Sequence, residues 1–249
     1  MTVAACYTCR NEADIIEASF RHMLAEGIAH IYTTDNRSDD GTREIMERLA
    51  AETGQITIVD DHEPFYRQVH WRTELARMAE ADGHEWVVAS DVDEFWYSPD
   101  GQTVAERLAS CSSSKVYARM FLQFDYQTRA EERKPLPKVA YRLGQGGQIH
   151  IGNHDVTLPE GEWGVLDLRE IQYRSLSHFM RKTRASAATL APEQRAIGAG
   201  SHHTSREAMT DEQMEAEWHQ IRYQPTVTDP IPSHLPLLSS FLFTATSVT

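Results

Sequence analysis

Residues 86–95 read W-V-V-A-S-D-V-D-E-F, an apolar run that passes at once into acidic residues. Four consecutive apolar residues, Trp86–Ala89, are typical of a strand that is buried on both faces of a parallel sheet. Ligands of such sheets bind beyond the carboxyl ends of the strands, where Asp91 and Asp93 fall. Alternate residues at a strand end point the same way, so Asp91 and Asp93 are expected to share one side. These two carboxylates are therefore a candidate divalent-metal site, with a solvated acidic turn as the alternative.

The residues before this stretch alternate between strand and helix patterns. Strands are predicted at Val3–Tyr7, His30–Thr34, Gln55–Val59 and Trp86–Ala89. Amphipathic spacing predicts three helices between them, marked by Ile16, Phe20, Met23 and Leu24, by Ile45, Met46, Leu49 and Ala50, and by Leu75, Ala76 and Ala79. This alternation predicts an α/β fold, in which a mostly parallel, Rossmann-like central sheet is flanked by helices. Ligand-binding segments are then expected at Thr8–Glu12, Asp35–Asp40, Asp60–Phe65 and Asp91–Phe95.

The pattern changes after residue 101. A short helix (Val104–Leu108) and an aromatic-rich strand (Val116–Tyr126) are expected first. Lys134–Gly164, rich in Gly, Pro and His, is expected to be irregular, and helices are predicted at Ser177–Arg184 and Met209–Arg222. The organisation predicted is an α/β half (1–100), a second half of the same domain (101–184), and a small helical and Pro-rich C-terminal part (185–249).

Composition narrows the class of protein. The 249 residues hold 24 basic and 37 acidic side chains, a net charge of −13, which argues against a nucleic-acid partner. Three cysteines are too few for a disulfide scaffold. No targeting signal or membrane-spanning run is recognised, so a soluble, cytoplasmic protein is expected.

Two further segments carry polar groups at predicted strand ends. Asp35 can accept from a nucleoside base or ribose, whereas Asp40 and Thr42 are better interpreted as turn and helix-cap residues. Thr8, Arg10 and Glu12 lie beside the N-terminus of the first helix, which is a suitable place for a nucleotide diphosphate. For that helix, Asn11 or Asp14 is the expected N-cap.

Four motifs in this order resemble the GT-A glycosyltransferases, especially those of family 2. They are Arg10-Asn11-Glu12, Asp35–Thr42, Asp91–Phe95 and Tyr173–Lys182, and the resemblance covers residues 3 to about 184. The family usually carries a metal-binding His shortly before the Y-R-S of the last motif. Here Glu170 stands at that position, and His178 is the alternative ligand.

The resemblance implies transfer of a sugar from a nucleotide-diphosphate sugar to a hydroxyl of a glycan or small molecule, with inversion. Residues 1–100 would then be the nucleotide-sugar-binding half and residues 101–184 the acceptor-binding half. Mg²⁺ or Mn²⁺ would be held by Asp91, Asp93 and Glu170, and the donor by Thr8, Arg10, Glu12, Asp35, Asp91, Arg174 and Lys182. Asp155 is the preferred catalytic base, with His154 as its neighbour or a phosphate contact. A type I turn is the alternative explanation of Asn153-His154-Asp155.

Other functions fit single features. A GT-A-like scaffold that binds a nucleotide sugar without turnover is the first alternative. Cys6-Tyr7-Thr8-Cys9 matches a C-x-x-C redox motif, but a strand would point the two thiols to opposite sides. His150 and His154 have the i, i+4 spacing of helical zinc sites, although Gly152 argues against a helix. Several aromatic residues could instead serve as sugar platforms: Phe121, Phe124, Tyr126, Tyr141 and Trp163.

Overall fold

The computed structural model of the protein describes residues 1–65, 67–123, 130–132, 137–189 and 204–223. Within these ranges the strands are β1 (Val3–Cys9), β2 (His30–Asp35), β3 (Ile56–Asp60), β4 (Trp86–Ala89), β5 (Glu94–Tyr97), β6 (Lys115–Gln123), β7 (Ala130–Glu132), β8 (Lys138–Arg142) and β9 (Glu162–Glu170). The helices are α1 (Ile16–Ala25), α2 (Thr42–Thr53), α3 (Gln68–Ala81), α4 (Val104–Ala109), α5 (Leu176–Thr189) and α6 (Asp211–Tyr223). The predictions for Phe124, Tyr126 and the Pro-rich tail lie outside the described residues.

The strand and helix predictions are accurate for the residues before Asp91 and less so afterwards. The strands predicted before Asp91 and the helices between them are all present. Lys134–Gly164 is not irregular throughout, since it contains β8 and the start of β9. The Gly- and Pro-rich flanks concealed β8, whose terminal Lys138 is itself buried.

The strands of the described ranges form one sheet in the order β3-β2-β1-β4-β8-β6-β9-β5, and β7 pairs with β6. The first four strands in the chain pair in parallel, but β8 is antiparallel to β4 and β6, and β5 is antiparallel to β9. The expected mostly parallel sheet is therefore only partly correct, because the sheet is mixed. The physical reason is that no crossover helix separates β4 from β5, which are joined by a tight turn.

The sheet is buried on both faces, and this burial determines where the Cys6 and Cys9 thiols lie and whether they ionise. Cys9 packs in the core on the Phe20 and Trp86 side, whereas Cys6 packs on the Leu75 and Val87 side. Burial raises the pKa of each thiol to about 12. Thiols on opposite faces that resist ionisation do not make a redox pair, so the C-x-x-C interpretation is not supported.

The helices α5 and α6 share a separate small core. Phe179 of α5 is fully buried, and its ring contacts Trp218 of α6 at 5.9 Å and Tyr173 at 4.8 Å. The Arg206 guanidinium lies 5.4 Å from the Phe179 ring centre, a cation–π contact. This packing sets the position of α5, which carries several of the charged side chains discussed below.

Glu26, directly after α1, makes the free energy of unfolding depend on pH. Its buried carboxylate accepts a hydrogen bond from Val104 N at the start of α4 (3.0 Å), and burial raises its pKa from an ordinary 4.5 to about 7. A carboxyl group with a raised folded-state pKa stabilises the fold below pH 4.5 and loses that contribution as the pH rises to 7. Glu26→Gln keeps an acceptor without the charge, so we expect the free energy of unfolding at pH 8 to rise by about 1–3 kcal/mol, with little change at pH 4.5.

Urea unfolding followed by tryptophan fluorescence at both pH values measures this effect. Glu44→Gln, at an exposed position of α2, is the matched control and should show no pH-dependent gain. An equal gain for Glu26→Gln at pH 4.5 and pH 8 would contradict the explanation, because the charge of Glu26 would then not be the cause.

In the part of the chain that the structure describes, no helix is long and apolar enough to cross a membrane.

Candidate active site

The loops that follow β1 and β2 are tied together by hydrogen bonds. Asn11, whose φ of 55° is left-handed, donates its backbone N–H to Ser38 Oγ (2.9 Å) and exchanges side-chain hydrogen bonds with Asp39. The backbone N–H of Glu12 donates to Thr42 Oγ1 (2.8 Å). These contacts fix the backbone that carries the Glu12 side chain, so Asn11, Ser38, Asp39 and Thr42 have a structural role.

The predicted turn-and-cap role of Asp40 agrees with its contacts. Asp40 Oδ1 accepts from the backbone N–H of Thr42, the first residue of α2, at 3.0 Å. The N-cap position itself is Gly41, whose φ of 97° favours glycine. For α1 the expected caps are wrong, because its N-cap is Ile15, without a side-chain hydrogen bond.

Three residues predicted to hold the nucleoside lie at the carboxyl ends of β1 and β2. Thr8 and Asp35 are buried, and Arg10 is half-buried and donates to Asn36 Oδ1 (3.0 Å). Asn36 in turn donates to Asp61 Oδ2 (2.9 Å), which links the segment after β3 to the other two. The structure therefore brings three of the four predicted ligand-binding segments together at one edge of the sheet.

The acidic stretch after β4 is a reverse turn rather than a continued strand. The backbone N–H of Glu94 donates to Asp91 O at 3.1 Å, so the chain reverses over residues 91–94. The expectation that Asp91 and Asp93 share one side rested on strand alternation, which this segment does not have. The two carboxylates have different partners.

Asp91 is held by four side chains. Its Oδ1 accepts from Arg72 (2.8 Å), Gln68 (3.1 Å) and Asn153 (3.3 Å), and its Oδ2 accepts from Lys138 Nζ (2.7 Å). The charges of Lys138 and Arg72 outweigh the desolvation of Asp91 and hold its pKa well below the usual range. A carboxylate so fully bonded is a poor metal ligand.

Lys138 connects Asp91 to a second buried carboxylate. Its ammonium lies 2.7 Å from Glu94 Oε1, and both side chains are almost completely buried. Burial raises the pKa of Glu94 to about 8, while Asp91 and Glu94 raise that of Lys138 above its ordinary value. Glu94 Oε2 also accepts from the backbone N–H of Asp91 (3.0 Å). We call Arg72, Asp91, Glu94 and Lys138 the Asp91 network; it fixes the turn that carries Asp93.

Asp93 belongs to another group of charges. Its buried carboxylate accepts from Lys182 Nζ of α5 at 2.5 Å, and the same ammonium lies 3.6 Å from Glu12 Oε1. Asp93 and Glu12 therefore face one point from opposite loops. These two carboxylates raise the pKa of Lys182 despite its burial, so the ammonium stays charged.

Arg174 extends this group across the start of α5. Its guanidinium donates to Glu12 Oε2 (2.6 Å) and to both oxygens of Asp14 (2.7 and 2.8 Å). His178, one turn into α5, is buried, and burial together with the charges of Arg174 and Lys182 lowers its pKa, so the ring is neutral. We call the combined set the Glu12 cluster: Glu12, Asp14, Asp93, Arg174, His178 and Lys182.

The donor atoms of the Glu12 cluster suit a divalent cation. Among the described residues, the acidic or His side chains that converge as a set of three are Glu12, Asp14 and His178, whose ligand atoms lie within 4.8 Å of one another. Carboxylate oxygens and a neutral imidazole nitrogen fit Mg²⁺ or Mn²⁺. The cluster carries three carboxylates against two cations, which leaves one negative charge for an added ion to offset.

The predicted metal set of Asp91, Asp93 and Glu170 is divided between the two groups. Glu170 lies opposite Glu94 in the β5–β9 pair, and its charge helps to raise the pKa of Lys138. It thus adjoins the Asp91 network, whereas Asp93 belongs to the Glu12 cluster. The assignment of all three as metal ligands stays a prediction, and the geometry favours His178 over Glu170 as the further ligand.

The predicted catalytic pair, His154 and Asp155, is also separated. His154 Nδ1 donates to Pro137 O (2.7 Å), directly before Lys138, so the ring lies at the Asp91 edge of the sheet. Gly152, with a φ of 78°, leaves room for this ring, since a Cβ there would lie 2.6 Å from it. The turn that holds them is a 3₁₀ segment, Ile151–Asn153, and not a helix, so the i, i+4 zinc interpretation is not supported.

Asp155 lies farther back along the sheet. Its Oδ1 accepts from Lys115 Nζ (2.7 Å) and Tyr117 OH (2.6 Å). Lys115 pairs with Tyr141, which pairs with Val87, so this contact lies before the end of β4. The hydrogen bonds from Lys115 and Tyr117 lower the pKa of Asp155 even though partial desolvation opposes them, which weakens it as a proton acceptor. Its role as base stays a prediction.

Sequence reasoning missed Arg72, Lys138 and Asp14. Arg72 lies on the buried stripe of α3 with Leu75, Ala76 and Ala79, and an Arg at a stripe position is a usable signal of a buried partner. Lys138 and Asp14 carried no such signal.

Similar solved structures include the mannosyltransferase PcManGT from Pyrobaculum calidifontis in complex with GDP-Man and Mn²⁺, which is 16% identical over 100% of this chain and 76% of that chain, with a TM-score of 0.48. TarS 1-349 from S. aureus in complex with UDP-GlcNAc is 10% identical over 98% of this chain and 81% of that chain, also with a TM-score of 0.48. No curated protein sequence matches the chain.

The sequence profile of glycosyltransferase family 92 matches residues 2–142. This range holds β1 to β4, the Asp91–Glu94 turn and β8, and therefore most of the loops at the candidate site. The match agrees with the glycosyltransferase class that the motifs indicated, whereas the closer resemblance to family 2 is not confirmed. Because the match spans more than half of the chain, the protein belongs to glycosyltransferase family 92.

Proposed function

We propose that this protein transfers a glycosyl group from a nucleotide-diphosphate sugar to a hydroxyl of a glycan or small-molecule acceptor. The observation that carries the proposal is the Glu12 cluster, in which Glu12 and Asp93 from two strand-end loops meet Lys182 of α5. Paired carboxylates and cations at the carboxyl edge of a sheet suit an anionic donor and a bridging cation.

The nucleoside is assigned to the ends of β1 and β2. Thr8 and Asp35 are adjacent there, because Thr8 pairs with Thr34 and Cys9 with Asp35. Asp35 and the Arg10 guanidinium supply an acceptor and donors for base or ribose atoms. Asp91 supports this nucleoside-binding site indirectly, because it stabilises the Asp91–Glu94 turn.

The diphosphate is assigned to Lys182 and Arg174. Both cations are now matched by carboxylates, so an arriving diphosphate would exchange with Asp93 or Asp14 as their partner. Asp93, Glu12, Asp14 and His178 are the residues that would hold Mg²⁺ or Mn²⁺. When bound, such an ion neutralises the diphosphate and stabilises the departing nucleoside diphosphate.

For the proton acceptor, the geometry favours His154 over Asp155. The anomeric carbon–phosphate oxygen bond breaks, the acceptor oxygen bonds to that carbon, and the acceptor proton passes to His154 Nε2. A direct displacement of this kind inverts the anomeric centre. Nδ1 keeps its proton through the Pro137 carbonyl, which holds the lone pair on Nε2.

The function is tested with UDP-, GDP- and dTDP-sugars, incubated with and without Mn²⁺ and with a glycan mixture as acceptor. Release of nucleoside diphosphate from at least one donor supports transfer. Tight donor binding without any release would favour the alternative, a nucleotide-sugar-binding protein without turnover. Neither binding nor release from any donor would contradict both.

The role of His154 makes a separate prediction. His154→Gln is expected to lower kcat by about 10²–10⁴-fold, the usual contribution of general-base catalysis, and to leave donor affinity unchanged. His219→Gln, on the exposed side of α6, is the control and should keep wild-type kcat. Wild-type kcat in His154→Gln would exclude His154 as the base and return the choice to Asp155.

A further inference from the structure

The surface beside Asp155 carries an aromatic residue that the proposed chemistry does not use. Trp163 is 60% exposed, the largest exposed fraction of any large apolar side chain in the described ranges. Its ring stacks on Tyr117 at 4.6 Å between centroids and 27° between planes. Tyr117 thus supports one face of the indole, and the side chain remains open to solvent.

The backbone is shaped to present this ring. Tyr117 pairs with Trp163, but the next residue of β6, Ala118, pairs with Leu166, so β9 bulges at Gly164 and Val165. Gly164 has a φ of 74°, a conformation that side chains rarely adopt. Bulges commonly turn a side chain in a new direction.

Polar groups complete the surface beside the ring. Lys115 Nζ, itself almost fully buried, donates to Asp155 Oδ1 (2.7 Å) and to Val156 O (3.0 Å), and Tyr117 OH donates to the same Oδ1 (2.6 Å). The Asp155 side chain is 41% exposed, and its Oδ2 accepts no hydrogen bond from any residue in the described part of the chain. An exposed aromatic face next to a carboxylate oxygen is a combination that binds sugar hydroxyls and the apolar face of a pyranose.

We propose that Trp163, Tyr117 and Asp155 form a binding site for a neutral pyranose unit of a glycan, distinct from the Glu12 cluster. The sugar ring stacks on the open face of Trp163, and one of its hydroxyls donates to Asp155 Oδ2. Lys115 balances the Asp155 charge, so the surface suits a neutral sugar better than an anionic one. This role rests on the proposed function. Because His154 directly precedes Asp155 in the chain, a sugar bound at this site would belong to the same acceptor glycan as the reacting hydroxyl, but it would be a different sugar unit.

Direct sugar binding tests this inference without any transfer reaction. Wild-type protein and variants are applied to a printed array of neutral oligosaccharides, followed by titration with cellotetraose, chitotetraose and mannotetraose under tryptophan fluorescence and saturation-transfer NMR. We expect at least one glycan to bind, Trp163→Ala to weaken that binding by at least tenfold, and Trp163→Phe to keep it within threefold to fivefold. Asp155→Asn should weaken it to a smaller degree.

The outcome is separate from that of the donor experiment. Absence of binding to every oligosaccharide, or equal binding by wild type and a folded Trp163→Ala, overturns the site even if donor turnover is found. Glycan binding that depends on Trp163 supports the site even if no donor is turned over, in which case the proposed transfer reaction fails instead. Circular dichroism checks that Trp163→Ala is folded. Substitution of an exposed side chain usually changes stability little.

Discussion

Asp93→Asn is expected to lower kcat/KM for sugar transfer by about 10²–10³-fold, the usual loss when one group that stabilises transition-state charge is removed. Asp93 is 4% exposed, and its carboxylate accepts from Lys182. Asn has the same shape but no charge, so it cannot offset the ammonium or bind a divalent cation with comparable strength. The measurement is nucleoside diphosphate release, together with Mn²⁺ binding followed by electron paramagnetic resonance.

The matched control is Asp211→Asn, at an exposed position of α6 where the carboxylate pairs with Arg184 on the surface. It should retain wild-type activity and Mn²⁺ binding, because surface ion pairs contribute little. If Asp93→Asn kept half or more of the wild-type kcat/KM, Asp93 would not belong to the active site. If it lost activity but bound Mn²⁺ as the wild type does, its role would lie in orienting Lys182.

The parallel half of the fold could be predicted because its signals are local. Apolar runs such as Trp86–Ala89 and the helix spacing between them are visible in any short window of sequence. The rule that ligands bind at the carboxyl ends of parallel strands then placed Glu12, Asp35 and Asp93 at one edge. The antiparallel strands β5 and β8 escaped prediction because each begins with a charged residue, Glu94 or Lys138, which is buried through contact with the other.

The roles of the individual carboxylates could not be predicted, because they depend on distant partners. Asp91 and Asp93 look equivalent in the sequence, yet Asp91 is bonded by Arg72 and Lys138 whereas Asp93 is bonded by Lys182, 89 positions away. Arg174 and Lys182 entered the prediction through the resemblance to GT-A enzymes alone. Their convergence on Glu12 is a property of the tertiary fold that no local pattern encodes.

Lys138→Met is expected to lower the free energy of unfolding by about 3–5 kcal/mol, since removal of one partner leaves buried charges uncompensated. Lys138 binds both Asp91 and Glu94, and Arg72 would then be the one cation left in the Asp91 network. The loss should be greater at pH 9.5 than at pH 5. Burial raises the pKa of Glu94 to about 8, so up to that pH the contribution of Glu94 falls equally in both proteins, and above pH 8 it continues to fall only in the variant that lacks Lys138.

Urea unfolding of the single and double variants tests this account. At pH 9.5, Lys138→Met combined with Glu94→Gln removes the buried carboxyl group whose charge Lys138 no longer offsets, so it should recover about half of the loss, a coupling of roughly 1–3 kcal/mol between neighbouring sites. Lys138→Met alone within 1 kcal/mol of the wild type, or additive effects of the two substitutions, would contradict the network as the support of the Asp91–Glu94 turn. If the double variant recovers stability but its transfer activity stays reduced, a stable Asp91–Glu94 turn is not sufficient for activity. Asp93 would then also need the charges of Lys138 and Glu94 nearby.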